Sequence, residues 1–225
     1  MQLELLLAVD SSLSVSDTEF RLQMEGLARA FRNPRVAAAI RAAGDQGIAV
    51  ALLQWGNNDQ QSLMLDWTYL GTAAEAQAFG HRISRTPRAF VGPGTAIAAA
   101  MNVALPLFLG NRFQGDRLVM DISGDGIDNR GPAPRQVRDR LVASGITING
   151  LAILNEDPDL DYYYGDHIIG GTGAFVMVAS DYRDFAEAIL NKLVREISSS
   201  PVARSPRPGG ATQAAASLSA ETVTP

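Results

Sequence analysis

Five consecutive residues near the start, Asp10-Ser11-Ser12-Leu13-Ser14, place a carboxylate ahead of hydroxyls at spacings of two and four. In a tight loop leaving a strand, Asp10, Ser12 and Ser14 can turn their oxygens toward one point. Oxygen-only donors suit a hard divalent cation such as Mg²⁺, and Mn²⁺ or Ca²⁺ accept the same set. Alone, the pattern also describes a polar loop ahead of a capped helix. Two later stretches add donors. Gly92-Pro93-Gly94-Thr95 opens a helical segment, where Thr95 is either a hydroxyl donor or an ordinary N-cap. Gly124-Asp125-Gly126 follows an apolar run, where Asp125 is either a second carboxylate of the same site or a turn residue.

The elements that would position these groups alternate along the chain. Leu3 to Val9 is an apolar run and reads as a buried strand that delivers Asp10 at its end. Ser16-Asp17-Thr18-Glu19 has the form of a capping box, and Phe20, Met24, Leu27, Ala28 and Phe31 follow at helical spacing. Pro34 closes that helix, and a short one runs from Val36 to Ala43. A second strand spans Ile48 to Trp55, and Ser62 to Leu70 reads as its hairpin return at a sheet edge. Residues 73–85 are helical. Arg82, Arg85 and Arg88 read as the solvated end of that helix. A helix covers Ala96 to Leu109, kinked or ended early by Pro106. Asp116 to Ser123 is a strand that delivers Asp125, Pro134 to Ala143 a helix, and Ile146 to Leu154 another strand. An acidic loop from Asn155 to Asp161 leads to Tyr162-Tyr163-Tyr164. The last strand runs from Ala174 to Ala179, and Asp181 to about Ile197 is an amphipathic helix.

This alternation predicts one α/β domain with a mostly parallel sheet and one antiparallel edge strand. In such sheets ligands sit beyond the carboxyl ends of the strands, where the strand order reverses. If the strands ending at Asp10 and Asp125 are neighbours, both carboxylates share that crevice. From Ser199 onward Ser, Pro, Ala and Thr dominate, and the segment 199–225 reads as a disordered tail. Net charge is −5, which gives no electrostatic case for nucleic acid. There are no cysteines and two histidines, which argues against thiolate and histidine-rich zinc sites. No apolar run approaches the roughly 20 residues of a membrane span, and no signal peptide is visible. The chain therefore reads as cytoplasmic, or as numbered from after a leader.

Asp10-x-Ser12-x-Ser14, Thr95 and Asp125-Gly126, in this order at strand and loop ends, resemble the metal-ion-dependent adhesion site of the von Willebrand factor type A domain. The resemblance covers residues 1–198. Stretches such as DISGDG (121–126), GITINGLAIL (145–154) and YYYGDHIIGG (162–171) are further similar to a bacterial group of uncharacterised proteins of this type, a domain of unknown function that is usually exported. The resemblance implies a three-layer, Rossmann-like fold with helices on both faces of the sheet. It implies a non-catalytic module in which Asp10, Ser12, Ser14, Thr95 and Asp125 hold Mg²⁺, and a protein partner completes the metal's coordination with an acidic group. One position departs from the pattern: Gly124 stands where the family usually has threonine. Tyr162, Tyr163 and Tyr164 are the candidate binding rim, or else pack a short helix on the core.

Other readings fare less well. Asp121-x-Ser123-x-Asp125-Gly126 echoes a calcium loop of the EF-hand type, but Pro132 stands at its twelfth position and a strand precedes it. A phosphohydrolase with Asp10 as nucleophile would need an acid two residues on, where Ser12 stands. A metal-free scaffold would have no use for the intact set of five.

Overall fold

A computed structural model describes residues 1–199. Apart from Ser199, the expected tail lies outside them. The organising element is β1 (Leu3–Asp10), buried along its entire length. Its side chains alternate between two cores. Leu3, Leu5, Leu7 and Val9 enter one, with residues of α1 (Asp17–Arg32), α2 (Pro34–Ala42), α3 (Ala73–Ile83) and α7 (Phe185–Ser198). Leu6 and Ala8 enter the other, with residues of α4 (Ile97–Leu109), α5 (Pro134–Ala143) and α6 (Leu160–Tyr163). A strand with helices on both sides must be apolar on both faces, which is why β1 reads as a continuous run and not as an alternation.

Among the described residues six strands lie in the order β3-β2-β1-β4-β5-β6. These are β2 (Ile48–Trp55), β3 (Gln61–Leu70), β4 (Arg117–Gly124), β5 (Ile146–Ile153) and β6 (Val176–Ala179). β3 is antiparallel to β2, and the other pairs of neighbouring strands are parallel. The result is the mostly parallel α/β sheet with one antiparallel edge strand that the alternation predicts, in the three layers that the resemblance implies.

Local signals explain most boundaries. The Ser16 hydroxyl accepts from the Glu19 N–H while Glu19 returns the bond to the Ser16 N–H, so α1 begins with the capping box read from sequence. Pro34 begins α2 rather than merely ending α1, with Asn33 capping it. Two expectations are corrected. Pro106 does not end α4, which continues to Leu109. It lies on the exposed face three residues from the helix end, so the one carbonyl it leaves unbonded, that of Asn102, is within reach of water. α7 begins at Phe185, not Asp181. The Asp181 carboxylate accepts from the Arg183 and Asp184 N–H groups, and this tight turn holds Tyr182 just ahead of the helix. No helix among the described residues is long and apolar enough to cross a membrane.

Candidate metal centre

β1 and β4 are adjacent and parallel, with Val9 paired to Ser123. Gly124 therefore lies beside Asp10, and Asp125 leaves β4 one residue later. This is the point where the strand order reverses, and both carboxylates stand at it.

Asp10 is fully buried. Its Oδ1 accepts the Ser12 N–H at 2.7 Å, and its Oδ2 has no hydrogen-bond partner. Ser12 Oγ lies 3.1 Å from Ser14 Oγ, and Ser14 donates to Asp125 Oδ1 at 3.2 Å. Tyr182 donates to Asp125 Oδ2 at 2.9 Å. Four of the five expected donors are thus linked in one chain of contacts.

Thr95 comes from another side, outside that chain of contacts: its Oγ1 lies 3.8 Å from where a Cβ on Gly126, the residue after Asp125, would stand. Thr95 does not cap α4, because the Asp128 carboxylate from the loop after β4 accepts the Ala98 N–H instead. Asn129 clamps the Thr95 backbone, its Oδ1 accepting the Thr95 N–H and its N–H donating to the Thr95 carbonyl. One segment, 125–129, therefore sets both the second carboxylate and the threonine.

Burial dominates the electrostatics. It pushes the Asp10 carboxyl up to about 7, helped by the neighbouring Asp125 and opposed by the Ser12 bonds and the Arg88 guanidinium. Asp125 is also raised by burial, against the bonds from Tyr182 and Ser14. A buried carboxylate oxygen with no donor, facing a second raised carboxylate, is costly unless a cation neutralises the pair. Among the described residues no three His, Cys, Asp or Glu side chains gather into a metal cluster, so the candidate donors here are mainly hydroxyls. That donor chemistry fits a hard divalent ion.

Arg88 corrects an expectation. Its side chain is only 11% exposed and is not part of a solvated helix end. Nη2 donates to the carbonyls of Ser11, Ser12 and Val15, Nη1 pairs with Asp17, and the guanidinium lies over the Phe20 ring. It fixes the backbone of the Asp10–Ser14 loop from behind. Nothing in the local sequence marks it, because its partners are main-chain carbonyls over 70 residues away.

The tyrosines divide. Tyr162 is 73% exposed, so its ring is free to meet a partner. Tyr163 is half-buried, stacks on His167 and accepts the Asp128 N–H. Tyr164 is fully buried and cannot meet a partner. Its hydroxyl stands below the site, 2.8 Å from where a Cβ on residue 124 would be, with Asp10 Oδ2 at 3.0 Å and Trp55 Cζ2 at 3.2 Å from the same point. The glycine at 124 has this physical cause: the volume of a side chain there is already filled.

The fold is shared with solved structures at low identity. Proximal thread matrix protein 1 from the mussel byssus matches with a TM-score of 0.64 and 14% identity, over 88% of this chain and 48% of that one. Manganese-loaded TRAP protein of Plasmodium vivax matches at 0.59 and 14%, over 88% and 74%. The vWF domain of the pilus tip protein Mfa5 from Porphyromonas gingivalis matches at 0.61 and 10%, over 87% and 95%. The chain spans about half the length of the mussel protein, which has also been solved with a zinc-occupied MIDAS motif. No curated protein matches in sequence. A family model described as a protein of unknown function, DUF1194, matches residues 1–201, so this chain, with its von Willebrand factor type A fold, belongs to that family.

Proposed function

We propose that the chain is a non-catalytic binding module whose divalent cation, Mg²⁺ in the first instance, is held by Asp10, Ser12, Ser14, Thr95 and Asp125, the two aspartates acting directly or through a water. The observation that carries this reading is the buried, unpartnered Oδ2 of Asp10, beside a linked set of hydroxyls and a second carboxylate. Metal-bearing neighbours of the same fold support it, as do the pilus-tip neighbour and the family resemblance for an exported setting.

A bound cation would supply a Lewis-acidic point for an acidic group. The chain's own residues do the rest. Ser12, Ser14 and Thr95 offer neutral oxygens, so the ion would keep positive charge on its outer side. Arg88 and Asn129 hold the two loops at fixed separation. Glu19 and Glu156, near Asp125, give the rim an acidic edge that would repel a strongly acidic partner. The partner is therefore a protein surface that is neutral or basic apart from one carboxylate, and Tyr162 offers it a rigid aromatic contact.

Calorimetry with Mg²⁺ and Mn²⁺ should show one site, lost in Asp10→Ala and strongly weakened in Asp125→Ala. Unchanged binding in both variants would reject the centre. A captured partner should be released by EDTA, and Thr95→Ala should weaken its capture. Capture that survives both would place the interface elsewhere.

A further inference from the structure

The two carboxylates of the site are held in different ways. Asp10 keeps one oxygen unpartnered, whereas Asp125 has both engaged, Oδ1 by Ser14 and Oδ2 by Tyr182. Tyr182 arrives from the turn between β6 and α7, 57 residues further along the chain. Its ring belongs to the core on the α1 and α7 side and is 3% exposed, so the hydroxyl has little freedom to swing away. A hydroxyl bonded to a carboxylate is roughly twice as strong as a neutral pair. It draws electron density from that oxygen and occupies one of its lone pairs. Ser14 spends its proton on Oδ1 of the same carboxylate and accepts from Ser12, which leaves the serine one lone pair for a cation. Asp10 has no comparable restraint on Oδ2.

We propose that Tyr182 is a positioning residue of this centre: its hydroxyl holds Asp125 back from direct contact with the cation and so keeps one coordination position open for a ligand from outside. The proposal rests on the metal-dependent reading above. It explains why an aromatic residue on the far side of β5 reaches into the site. A direct second carboxylate would bind the ion more tightly and neutralise it, and the ion would then attract an outside carboxylate less.

The test titrates Mn²⁺ into the full chain at about pH 8.5, above the usual carboxylate range. Water-proton relaxation reports both affinity and the number of waters on the ion. Tyr182→Phe keeps the ring and removes the hydroxyl. It should tighten Mn²⁺ binding on the order of tenfold, the scale of one charge-assisted hydrogen bond. It should also lower the bound-water count by about one and weaken acetate binding to the loaded protein. A folded Tyr182→Phe protein with unchanged or weaker Mn²⁺ binding and the wild-type water count would overturn the proposal. Asp125→Ala gives an arm that does not depend on that variant folding. If Asp125 is held back, its removal leaves the water count unchanged, whereas a gain of one water makes it a direct ligand and rejects the role of Tyr182. Wild-type binding that Asp10→Ala leaves intact removes the metal reading itself, and this proposal with it. Asp10-dependent binding combined with either earlier failure rejects Tyr182 alone.

Discussion

At the scale of single residues, the proposed site sets the stability of the fold against the capacity to hold a cation. Asp10 is buried with one oxygen unbonded and its carboxyl pushed up to about 7, so its charge destabilises the metal-free protein. Asp10→Asn should therefore raise the metal-free thermal midpoint, with a gain of about 1 kcal/mol or more, while abolishing the stabilisation that Mg²⁺ gives the wild type. Differential scanning fluorimetry with EDTA and with Mg²⁺ checks both halves, and a lower midpoint in EDTA would contradict the picture. The five proposed donors could be picked out of the sequence because each is a short-range pattern at the end of a periodic segment. Tyr182, Arg88 and Asn129 were not. Each acts through a bond to a residue more than 30 positions away, and no local periodicity encodes that. Tyr164 was misplaced for the opposite reason: three consecutive tyrosines look alike in sequence, and only the helical turn of α6 and its continuation decides which of them faces inward.

At the scale of elements, Arg88 joins a loop to the Asp10–Ser14 segment by three backbone carbonyls and one carboxylate. Lysine cannot reproduce a planar fork of donors. Arg88→Lys should weaken cation binding by about 1–3 kcal/mol, the cost of unmaking such bonds, with far-UV circular dichroism unchanged. Equal affinity in the variant would show that the loop holds its shape unaided. Helix starts came through from sequence where a cap or an initial proline marks them, as at Ser16 and Pro134. The start of α7 was missed, because the Asp181 carboxylate turns the chain there and the helix begins only at Phe185.

At the scale of the whole molecule, the sheet is tied to α7 by buried charge. Lys192 Nζ lies 2.7 Å from Asp121 on β4 and 2.6 Å from Glu196, and Asn149 on β5 donates to Glu196. Lys192→Met would remove the cation between two buried carboxylates, with Arg117 left as a charge near Glu196 alone, and should cost about 3–5 kcal/mol in urea denaturation. Two acids facing one base also make stability depend on pH. Burial, and then Glu196, push the Asp121 carboxyl up to about 7, against the pull of Lys192. The unfolded chain releases this proton near its ordinary value of 3.8, while the fold keeps it until about 7. The unfolded state then binds fewer protons across that window, so stability falls as pH rises from about 4 to about 7 and levels off above. Asp10 contributes with the same sign in EDTA, so the measurement is the difference between wild type and Asp121→Asn. The variant should lose less stability between pH 5 and pH 8, at about 1 kcal/mol or more of difference. Identical pH slopes would show that Asp121 does not hold the proton. The layered architecture was readable because strand and helix alternate so regularly. This network was not, since Asp121, Asn149, Lys192 and Glu196 each sit inside segments that otherwise read as ordinary strand or helix.

The crowding at Gly124 has a historical consequence. The Tyr164 hydroxyl and a side chain at 124 compete for one volume, so the two positions cannot drift independently. Descendants of a common ancestor should show them changing as a pair: a residue larger than glycine at 124 should occur only where 164 has given up its phenol oxygen or its ring. In the laboratory, Gly124→Thr alone should be poorly tolerated, and Tyr164→Phe beside it should recover part of the loss.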